Sequence, residues 1–451
     1  MNRTESLRQK DREIIWHPFT QMADWEKDAP LIIERGEGNY LIDTEGRRYF
    51  DGVSSLWVNV FGHRRREIDE AIRSQLDRLA HSTFLGLSHL PAIELSERLL
   101  AAAPEGFSRV FYSDNGSTAM EIAIKMALQY WQQKGGRVKK QTFMTLTEAY
   151  HGDTIGAVSA GGIDLFHKIF QPLLFATRRI PTPHCYRCPY GMARKSCSLA
   201  CATRMEEEVS RHRETLAAFI VEPLVQGAAG MLMMPEGYLV RLREVTRECE
   251  VLLICDEVAT GFGRTGTMFA CEQERVSPDI MAVAKGLTGG YLPLAATLTT
   301  KDVYDAFLGR YEEFKAFFHG HSYTANPLGC AAALATLSIF EAQGVLQHVA
   351  TLSGRMAEEL AKLESRRCIG DIRQKGLMVG IEIVADRKTK EPFPPEKKVG
   401  QRVVRKTREK GIILRPLGDV IVLMPPLSST EEEISHLVGS VGWAMDSVLA
   451  E

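Results

Sequence analysis

Short apolar runs recur between positions 109 and 300, and helix-like or polar stretches separate them. The runs are RVFYS (109–113), QTFMTL (141–146), AAFIVEP (217–223), VLLICDE (251–257), IMAVAK (280–285) and LAATLTT (294–300). Their nearly continuous apolar character is typical of strands that are buried on both faces. Such strands in alternation with helices predict an α/β fold, in which helices flank a mostly parallel sheet.

The regions on either side follow other patterns. Residues 1–30 predict an irregular arm with a short helix, and residues 31–50 predict a small hairpin with glycine-rich turns. After a mostly helical stretch at 325–365, the chain changes to an α+β pattern. Its predicted elements are strands at 379–384, 412–416 and 420–426, and helices at 395–410 and from Thr430 onward.

Three parts follow from these patterns, and the length of 451 residues suits that number. Residues 1–60 are predicted to form the arm and the hairpin, which pack with the C-terminal domain. Residues 61–330 are predicted to form a large domain that carries the candidate site. Residues 331–451 are predicted to form a smaller α+β domain.

Composition narrows the classes of partner. The chain is 45% hydrophobic and 25% charged, with a formal net charge of −2, so we expect a soluble protein that binds neither nucleic acid nor membranes. No apolar run approaches the roughly 20 residues of a spanning helix, and the polar N-terminus lacks the apolar stretch of a secretory signal. A cytoplasmic location is expected, with the nine cysteines as reduced thiols.

The first chemical feature is SDNGST (113–118), where a strand turns into a helix. The unpaired N–H groups at a helix start attract anions such as phosphate. Gly116 would let the backbone approach a ligand closely, and Ser117 and Thr118 offer hydroxyl groups. The alternative is an ordinary capped helix start without a ligand.

Two further features follow apolar runs. Asp256 would lie at the carboxyl end of a buried strand, where ligands bind in open α/β sheets, and there it needs a cationic partner. That partner could be a protonated ring nitrogen or Arg264. Lys285 would lie in an apolar pocket that lowers its pKa, unless it extends toward solvent. Asp256 and Lys285, together with the candidate phosphate site at 113–118 (the phosphate turn), match what pyridoxal phosphate (PLP) requires: a Schiff-base lysine and an acidic partner for the pyridinium nitrogen.

A competing motif is G-x-G-x-x-G at 261–266, with Asp279 downstream, which would indicate a nicotinamide-dependent dehydrogenase. That fingerprint opens directly from a strand into a helix. Here the strand ends near Cys255 and several residues intervene. The segment after Gly266 is also too short for a crossover helix, so we reject this interpretation.

DEVATGFGRTG (256–266), followed by AKGLTGG (284–290), resembles the class III aminotransferases of PLP fold type I. The likeness runs from about Trp16 to the C-terminus. Four further segments resemble the members of this class that act in biotin biosynthesis. They are WHPFTQM (16–22), AYHGDTIGA (149–157), HGHSYTANPLGCAAA (319–333) and RPLGD (415–419). This resemblance implies amino transfer to 8-amino-7-oxononanoate.

The resemblance also implies roles around the cofactor. Lys285 would form the Schiff base and shuttle a proton, and Asp256 would keep the pyridine nitrogen protonated. Tyr150 and Val258 would lie on opposite faces of the ring. The remaining implied roles are phosphate binding by Gly116 and Ser117, phosphate contacts across a homodimer by His321 and Ser322, and orientation of the active-site network by Glu222.

Substrate contacts are implied as well. Arg415 would hold the carboxylate of 8-amino-7-oxononanoate bidentately, although it could instead form a structural ion pair. Gly320 would line the substrate channel. Two positions that border the substrate pocket in the family depart from its best-known pattern: Phe19 replaces a tyrosine and Leu56 replaces a tryptophan. We favour S-adenosylmethionine as the amino donor, with lysine or another class III reaction as the alternative.

The last feature is a cysteine-rich insertion at 185–201. Its spacing, C-x2-C-x8-C-x3-C, could supply four thiolates to zinc. Disulfides or free thiols on a surface loop are the alternatives, and the amino-transfer chemistry needs no metal. The four positions are Cys185, Cys188, Cys197 and Cys201.

Overall fold

The structure is a computed structural model that describes residues 2–135 and 137–450. Its strands are β1 (Ile33–Glu37), β2 (Tyr40–Asp43), β3 (Arg48–Asp51), β4 (Phe107–Ser113), β5 (Thr142–Leu146), β6 (Thr177–Ile180), β7 (Leu216–Val221), β8 (Val225–Gln226), β9 (Leu232–Met233), β10 (Leu252–Asp256), β11 (Ile280–Val283), β12 (Ala295–Thr300), β13 (Ile369–Lys375), β14 (Met378–Ile383), β15 (Ile412–Ile413), β16 (Arg415–Leu417) and β17 (Val420–Leu423).

The helices follow the same chain order. They are α1 (Arg3–Ile14), α2 (Met22–Trp25), α3 (Ser54–Trp57), α4 (Arg66–Leu76), α5 (Leu90–Ala102), α6 (Gly116–Gln133), α7 (Ile155–Ala160), α8 (Asp164–His167), α9 (Ala200–His212), α10 (Tyr238–Glu248), α11 (Lys301–Asp305), α12 (Pro327–Ala342), α13 (Val345–Ala361), α14 (Val399–Lys406) and α15 (Glu431–Ala450). The segment α3 is a left-handed turn rather than an α-helix, because all of its residues have positive φ.

The central sheet has the strand order β4-β12-β11-β10-β7-β5-β6 across the described part of the chain. Most neighbours are parallel, which confirms the predicted α/β fold, but β12 runs antiparallel to both β11 and β4. The reason lies in the connection 284–294, which holds a short 3₁₀ helix and no crossover helix. A parallel return would need a connection of a dozen or more residues.

Alternate residues of the central strands point to opposite faces of the sheet, as the period of two requires. Ile220, Ile254 and Ala282 join the apolar cluster that contains α6. Their chain neighbours, such as Phe219 and Leu253, join the larger cluster on the other face. Burial on both faces explains why these strands appear in the sequence as almost unbroken apolar runs.

The N-terminal and C-terminal segments share a sheet. Its order is β1-β2-β3-β15, and the short strand β15 runs parallel to β3. A second sheet, β13-β14-β17-β16, contains Arg415 at the start of β16. The segment predicted as a hairpin therefore contributes three strands and pairs with the C-terminal region. The exact division into domains stays a prediction.

Helix α12 links the site region to the C-terminal sheets. The side chain of Asn326 caps it by accepting from the N–H groups of Leu328 and Gly329, and Pro327 occupies its first turn. The helix packs on α4, α5 and the 3₁₀ helix that begins at Lys285. Among the residues described, no single helix is long and apolar enough to cross a membrane; α12 and α13 would qualify only as a pair, bent by 73°.

Candidate active site

A cavity of about 690 Å³ opens at the carboxyl edge of the central sheet. Its walls come from the segments that follow β4, β5, β7, β10 and β11, which is where open α/β sheets bind ligands. We call the predicted residues that line it the cavity floor: Gly116, Ser117, Tyr150, Glu222, Asp256, Val258 and Lys285. Residues as far apart in the chain as Gly116 and Lys285 therefore line the same cavity.

One end of the floor is a helix start suited to an anion. Asn115 caps α6, since its side chain accepts from Thr118 N–H at 3.0 Å, and the Thr118 hydroxyl accepts from Asn115 N–H at 3.3 Å. The N–H groups of Gly116 and Ser117 lie in the first turn of α6, where backbone N–H groups have no hydrogen-bond partner within the helix. A Cβ on Gly116 would come within 2.5 Å of Val258 Cγ1, so only glycine fits beside Val258.

Asp256 ends strand β10 and is buried. Its Oδ2 lies 2.7 Å from His151 Nδ1, and its Oδ1 accepts from Val258 N–H at 3.0 Å. The alternative partner considered from the sequence, Arg264, instead donates to the carbonyl oxygens of Pro425 and Asn59. The carboxylate is therefore held by a histidine and is left facing the cavity.

Lys285 follows β11 and has a φ of +32°, a sparsely populated conformation for a residue with a side chain. Its Nζ lies 4.9 Å from the centre of the Trp57 ring. Burial lowers the pKa of the Lys285 ammonium, and the charges of Asp256 and Glu222 oppose that effect only in part. A lowered pKa makes the neutral, nucleophilic amine more available.

Tyr150 and Glu222 connect the floor through the backbone. The Glu222 carboxylate accepts from Tyr150 N–H at 3.1 Å and from Gly227 N–H at 2.9 Å. Burial, with Asp256 nearby, raises the pKa of Glu222 to about 7. The Tyr150 hydroxyl donates to Asp153 at 2.8 Å, and burial raises the pKa of that phenol further above its usual value. Glu222 therefore fixes the backbone that carries Tyr150.

Three other predicted residues lie outside that lining, and we call them the rim: Phe19, Leu56 and Arg415. The Arg415 guanidinium carbon lies 5.8 Å from the Phe19 ring centre, and burial lowers the Arg415 pKa while the nearby Tyr150 opposes it. Leu56 is 48% exposed, within the left-handed turn that also places Trp57 in the cavity. Arg415 is thus close to Tyr150 but free of a carboxylate partner within the described residues.

The predicted residues Gly320, His321 and Ser322 do not line this cavity. Gly320 and Ser322 are exposed, and His321 is half-buried. In the part of the chain that the structure describes, His321 Nε2 is a buried nitrogen without a hydrogen-bond partner. Within one chain, these residues therefore stay apart from the floor.

Two residues of the site were missed by reasoning from the sequence. His151 adjoins Tyr150 in the quoted motif, yet only the fold brings it to Asp256. Trp57 reaches the cavity because Ser54–Trp57 adopt left-handed φ values between 47° and 72°. Left-handed turns in residues other than glycine have no sequence signature, so Trp57 could not have been assigned.

Comparisons with known proteins agree with this geometry. The family model for class III aminotransferases matches residues 21–444. The chain belongs to the class III aminotransferases. It is 55% identical over 448 residues to the adenosylmethionine-8-amino-7-oxononanoate aminotransferase of Nitratidesulfovibrio vulgaris, a match that covers 99% of this chain and 83% of the relative.

Solved structures of aminotransferases superpose closely. The crystal structure of adenosylmethionine-8-amino-7-oxononanoate aminotransferase from Methanocaldococcus jannaschii is 47% identical, with a TM-score of 0.94 and coverage of 98% of this chain and 99% of that one. An amine transaminase from an uncultivated Pseudomonas species, solved in its PLP-bound form, is 38% identical with a TM-score of 0.90 and covers 97% and 98%.

The residues present in this class III aminotransferase fit PLP. A helix start that excludes any side chain larger than glycine at 116 suits a phosphate, and a buried aspartate suits a pyridinium nitrogen. Lys285 supplies an amine in the same cavity. The G-x-G-x-x-G motif at 261–266 does not form a comparable phosphate site, because these residues form turns rather than a helix start.

Proposed function

We propose that this chain is a PLP-dependent aminotransferase that converts 8-amino-7-oxononanoate to 7,8-diaminononanoate, with S-adenosylmethionine as amino donor. One observation carries the chemistry: Lys285 and Asp256 face a single cavity beside the open helix start at Gly116. The name shared by relatives that are about half identical along the whole chain supports the choice of substrates and a place in biotin biosynthesis.

When bound, PLP supplies an aldehyde that takes up amino groups and a ring that accepts electrons from the substrate carbon. Lys285 Nζ would be the amine that holds the cofactor at rest. Nζ would also move a proton to and from the reacting carbon of the substrate. Its lowered pKa suits this work, because a general base acts best when its pKa lies near the working pH.

Asp256 is proposed to hold a proton on the pyridine nitrogen through its carboxylate. His151 is a positioning residue, since its Nδ1 lies 2.7 Å from Asp256 Oδ2 and both groups are buried. Tyr150 and Val258 would enclose the ring from its two faces. Gly116 and Ser117 would bind the phosphate with their backbone N–H groups.

Arg415 is proposed to hold the carboxylate of 8-amino-7-oxononanoate. It lies beside Tyr150 and Phe19 at the rim, half-buried, and its planar fork matches a carboxylate. The positions of Phe19 and Leu56, where the best-known pattern has larger polar-tipped side chains, motivate a direct test of the donor. Gly320 would lie along the substrate path only in an assembled dimer.

We propose a homodimer with shared active sites. Several large apolar side chains are strongly exposed, among them Leu85 at 90%, Tyr311 at 91% and Phe318 at 73%. The ring centres of the exposed Tyr311 and Phe314 lie 6.0 Å apart, and contiguous exposed apolar groups of this kind mark protein interfaces. His321 and Ser322 follow Phe318 closely in the chain, outside the floor of their own chain, and would contact the phosphate bound by the partner.

Complementation tests the shared site. Lys285→Ala and His321→Ala subunits, each inactive or weak alone, are co-expressed with different tags. Hybrid dimers would contain one complete site, so a mixture should recover roughly a quarter of wild-type activity. Recovery no greater than the sum of the two separate variants would contradict sharing.

A half-reaction tests the function itself. Enzyme reconstituted with PLP is mixed with either S-adenosylmethionine or lysine, and the visible band of the bound cofactor is followed. We expect only S-adenosylmethionine to bleach it and 8-amino-7-oxononanoate to restore it. Bleaching by lysine alone would replace the donor, and no restoration by 8-amino-7-oxononanoate would overturn the acceptor.

We also propose that the enzyme works in the cytoplasm. All nine cysteines are unpaired in the described structure, and disulfides are uncommon in that compartment. Fractionation with an antibody against the chain would test the location.

A further inference from the structure

The cysteine-rich insertion at 185–201 is separate from the segments that form the cavity floor. It fills most of the connection between β6 and α9. None of its residues lines the active-site cavity. Amino transfer therefore leaves four clustered cysteines without a role.

These cysteines line one space. A separate cavity of about 350 Å³ has all four in its wall: Cys185, Cys188, Cys197 and Cys201. Each is half-buried and carries a free thiol. Residues that are 16 positions apart at the extremes thus turn toward a common centre, which scattered surface thiols would not do.

The local backbone explains how two pairs form. Cys188 begins a tight turn that closes at Gly191, whose N–H donates to Cys188 O at 3.0 Å and whose φ is +66°, and Cys185 precedes this turn by three residues. Cys201 lies in the first turn of α9, and Cys197 precedes that helix by three residues. One pair is therefore presented by a turn and the other by a helix start.

Two cationic side chains lie beside the four cysteines. Arg194 and Lys195 line the same cavity, so their positive charges can offset excess negative charge at a site built from four thiolates.

We propose that Cys185, Cys188, Cys197 and Cys201 form a tetrathiolate site that binds one Zn²⁺. Zinc prefers tetrahedral sets of four thiolates, and structural sites of this kind are closed to further ligands. Four Zn–S bonds form as the thiols lose their protons to water. The bound site carries a net charge of −2, which Arg194 and Lys195 offset.

The four sulfurs line the cavity without yet meeting at ligand distance. Among the described residues, the group of three or more potential ligand atoms that already lies within 4.8 Å is His184, Asp371 and Glu382. Arg373 donates to both of those carboxylates, at 2.9 and 2.7 Å, so that group is an ion-pair network. Zinc would instead draw the two cysteine pairs together and tighten the insertion.

Tightening matters because the insertion joins two parts of the molecule. Arg187 lies between the first two cysteines and donates to Glu382 on β14 at 2.7 and 2.9 Å. Lys390 Nζ donates to the carbonyl oxygen of Tyr186 at 2.5 Å. A metal at this point would fix the contact between the large domain and the C-terminal sheet.

Metal analysis of the purified holoenzyme, prepared under reducing conditions, tests the site. We expect about one Zn²⁺ per chain, released when a mercurial reagent titrates the thiols. Cys185→Ser/Cys188→Ser should lose the metal and keep the cofactor band. Cys249→Ser and Cys368→Ser are matched controls at half-buried cysteines outside the insertion, and they should keep the metal.

Co²⁺ titration of metal-free wild-type protein adds a readout that needs no variant. A one-to-one endpoint with the visible bands of tetrahedral thiolate-bound cobalt would support the site, even if a cysteine variant misfolds. Metal-free protein that binds neither Zn²⁺ nor Co²⁺ stoichiometrically would overturn the proposal. So would iron with inorganic sulfide, or disulfides within 185–201 found by mass spectrometry in freshly isolated protein.

Discussion

The cavity floor and the rim border the same site but are built in opposite ways. The floor comes from segments that end neighbouring strands of one sheet, and its carboxylates at Glu222 and Asp256 are buried. The rim joins positions 19, 56 and 415, which come from the two ends of the chain. Phe19 and Leu56 are about half exposed, both with positive φ.

This difference separates the chemistry of the class from the choice of substrate. Hydrogen bonds to floor residues, such as that from His151 to Asp256, hold groups that we propose to serve any amino transfer. The rim has few such bonds, so its side chains can change without disturbing the sheet. Changes to the floor should therefore abolish turnover, whereas changes to the rim should alter which substrates are used.

Lys285→Ala is expected to have the largest effect. Loss of the amine removes both cofactor attachment and proton transfer, so kcat should fall on the order of 10⁴-fold or more. The protein should still fold, because Lys285 makes no hydrogen bond on which the sheet depends. Steady-state assays and the cofactor's absorption spectrum measure the two consequences. Lys301→Ala, at an exposed lysine on α11, is the control; retention of turnover by Lys285→Ala would break the comparison.

Asp256→Asn should follow. The amide keeps the shape of the side chain but cannot stabilise a proton on the pyridine nitrogen, so kcat should fall on the order of 10²–10³-fold. Stopped-flow measurement of the donor half-reaction would locate the loss in the chemical step rather than in binding. The control is Asp446→Asn, which alters an exposed ion pair with Arg366. A change confined to KM would contradict the assigned role.

The sequence predicted much of the floor because each of its groups follows an apolar run. Asp256 and Lys285 could be placed at strand ends from periodicity alone, and the phosphate turn from its capping residues. Resemblance to a family supplied Tyr150, Glu222 and Val258. The polar edge strand β6 and the polar strand β13 went unpredicted, since Thr177–Ile180 and Ile369–Lys375 have too few apolar positions for a strand pattern.

The rest depended on contacts that no local pattern encodes. His151 acts across the sheet on a residue 105 positions away, and Trp57 depends on a left-handed turn. The reversal of β12 depends on the length of one connection. The roles proposed for His321 and Ser322 would depend on a second chain. The sequence thus predicted best the site residues that directly follow a strand. It predicted least well those that reach the site through tertiary or quaternary contacts.

Glu222→Gln tests whether the negative charge of the buried Glu222 carboxylate lowers the stability of the folded protein. The folded pKa of about 7 exceeds the usual 4.5, so the folded protein binds this proton more tightly than the unfolded chain. The group's contribution to stability is then highest below about pH 4.5 and falls as pH rises to about 7. Across that range the variant should gain about 3 kcal/mol relative to wild type. Urea unfolding of the cofactor-free protein at several pH values measures this, and a stability difference independent of pH would contradict it.

Arg415→Ala sharpens the comparison from the side of the rim. Charge-assisted hydrogen bonds to a carboxylate contribute about 1.5–3 kcal/mol, so kcat/KM for 8-amino-7-oxononanoate should fall about 10- to 150-fold. The cofactor spectrum should stay unchanged, and Arg415→Lys should recover only part of the loss. Arg405→Ala, at an exposed arginine paired with Asp28, is the control. If Arg415→Ala lost the cofactor band, Arg415 would be needed for cofactor binding as well, and the distinction between the rim and the floor would fail.

Phe19→Tyr should have the smallest effect and bears on the donor. The ring of Phe19 lies beside Arg415, so a hydroxyl at its tip adds one hydrogen-bonding group to the rim without altering the floor. A single neutral hydrogen bond contributes about 0.5–1.5 kcal/mol, which corresponds to about a two- to tenfold change in kcat/KM. We expect that gain for S-adenosylmethionine and not for lysine, because the former offers more polar groups at the cavity mouth. Donor half-reactions measured side by side, with Phe393→Tyr as a control at a partly buried phenylalanine elsewhere, would report the ratio. If both donors respond equally, Phe19 shapes access to the site rather than the selection of its donor.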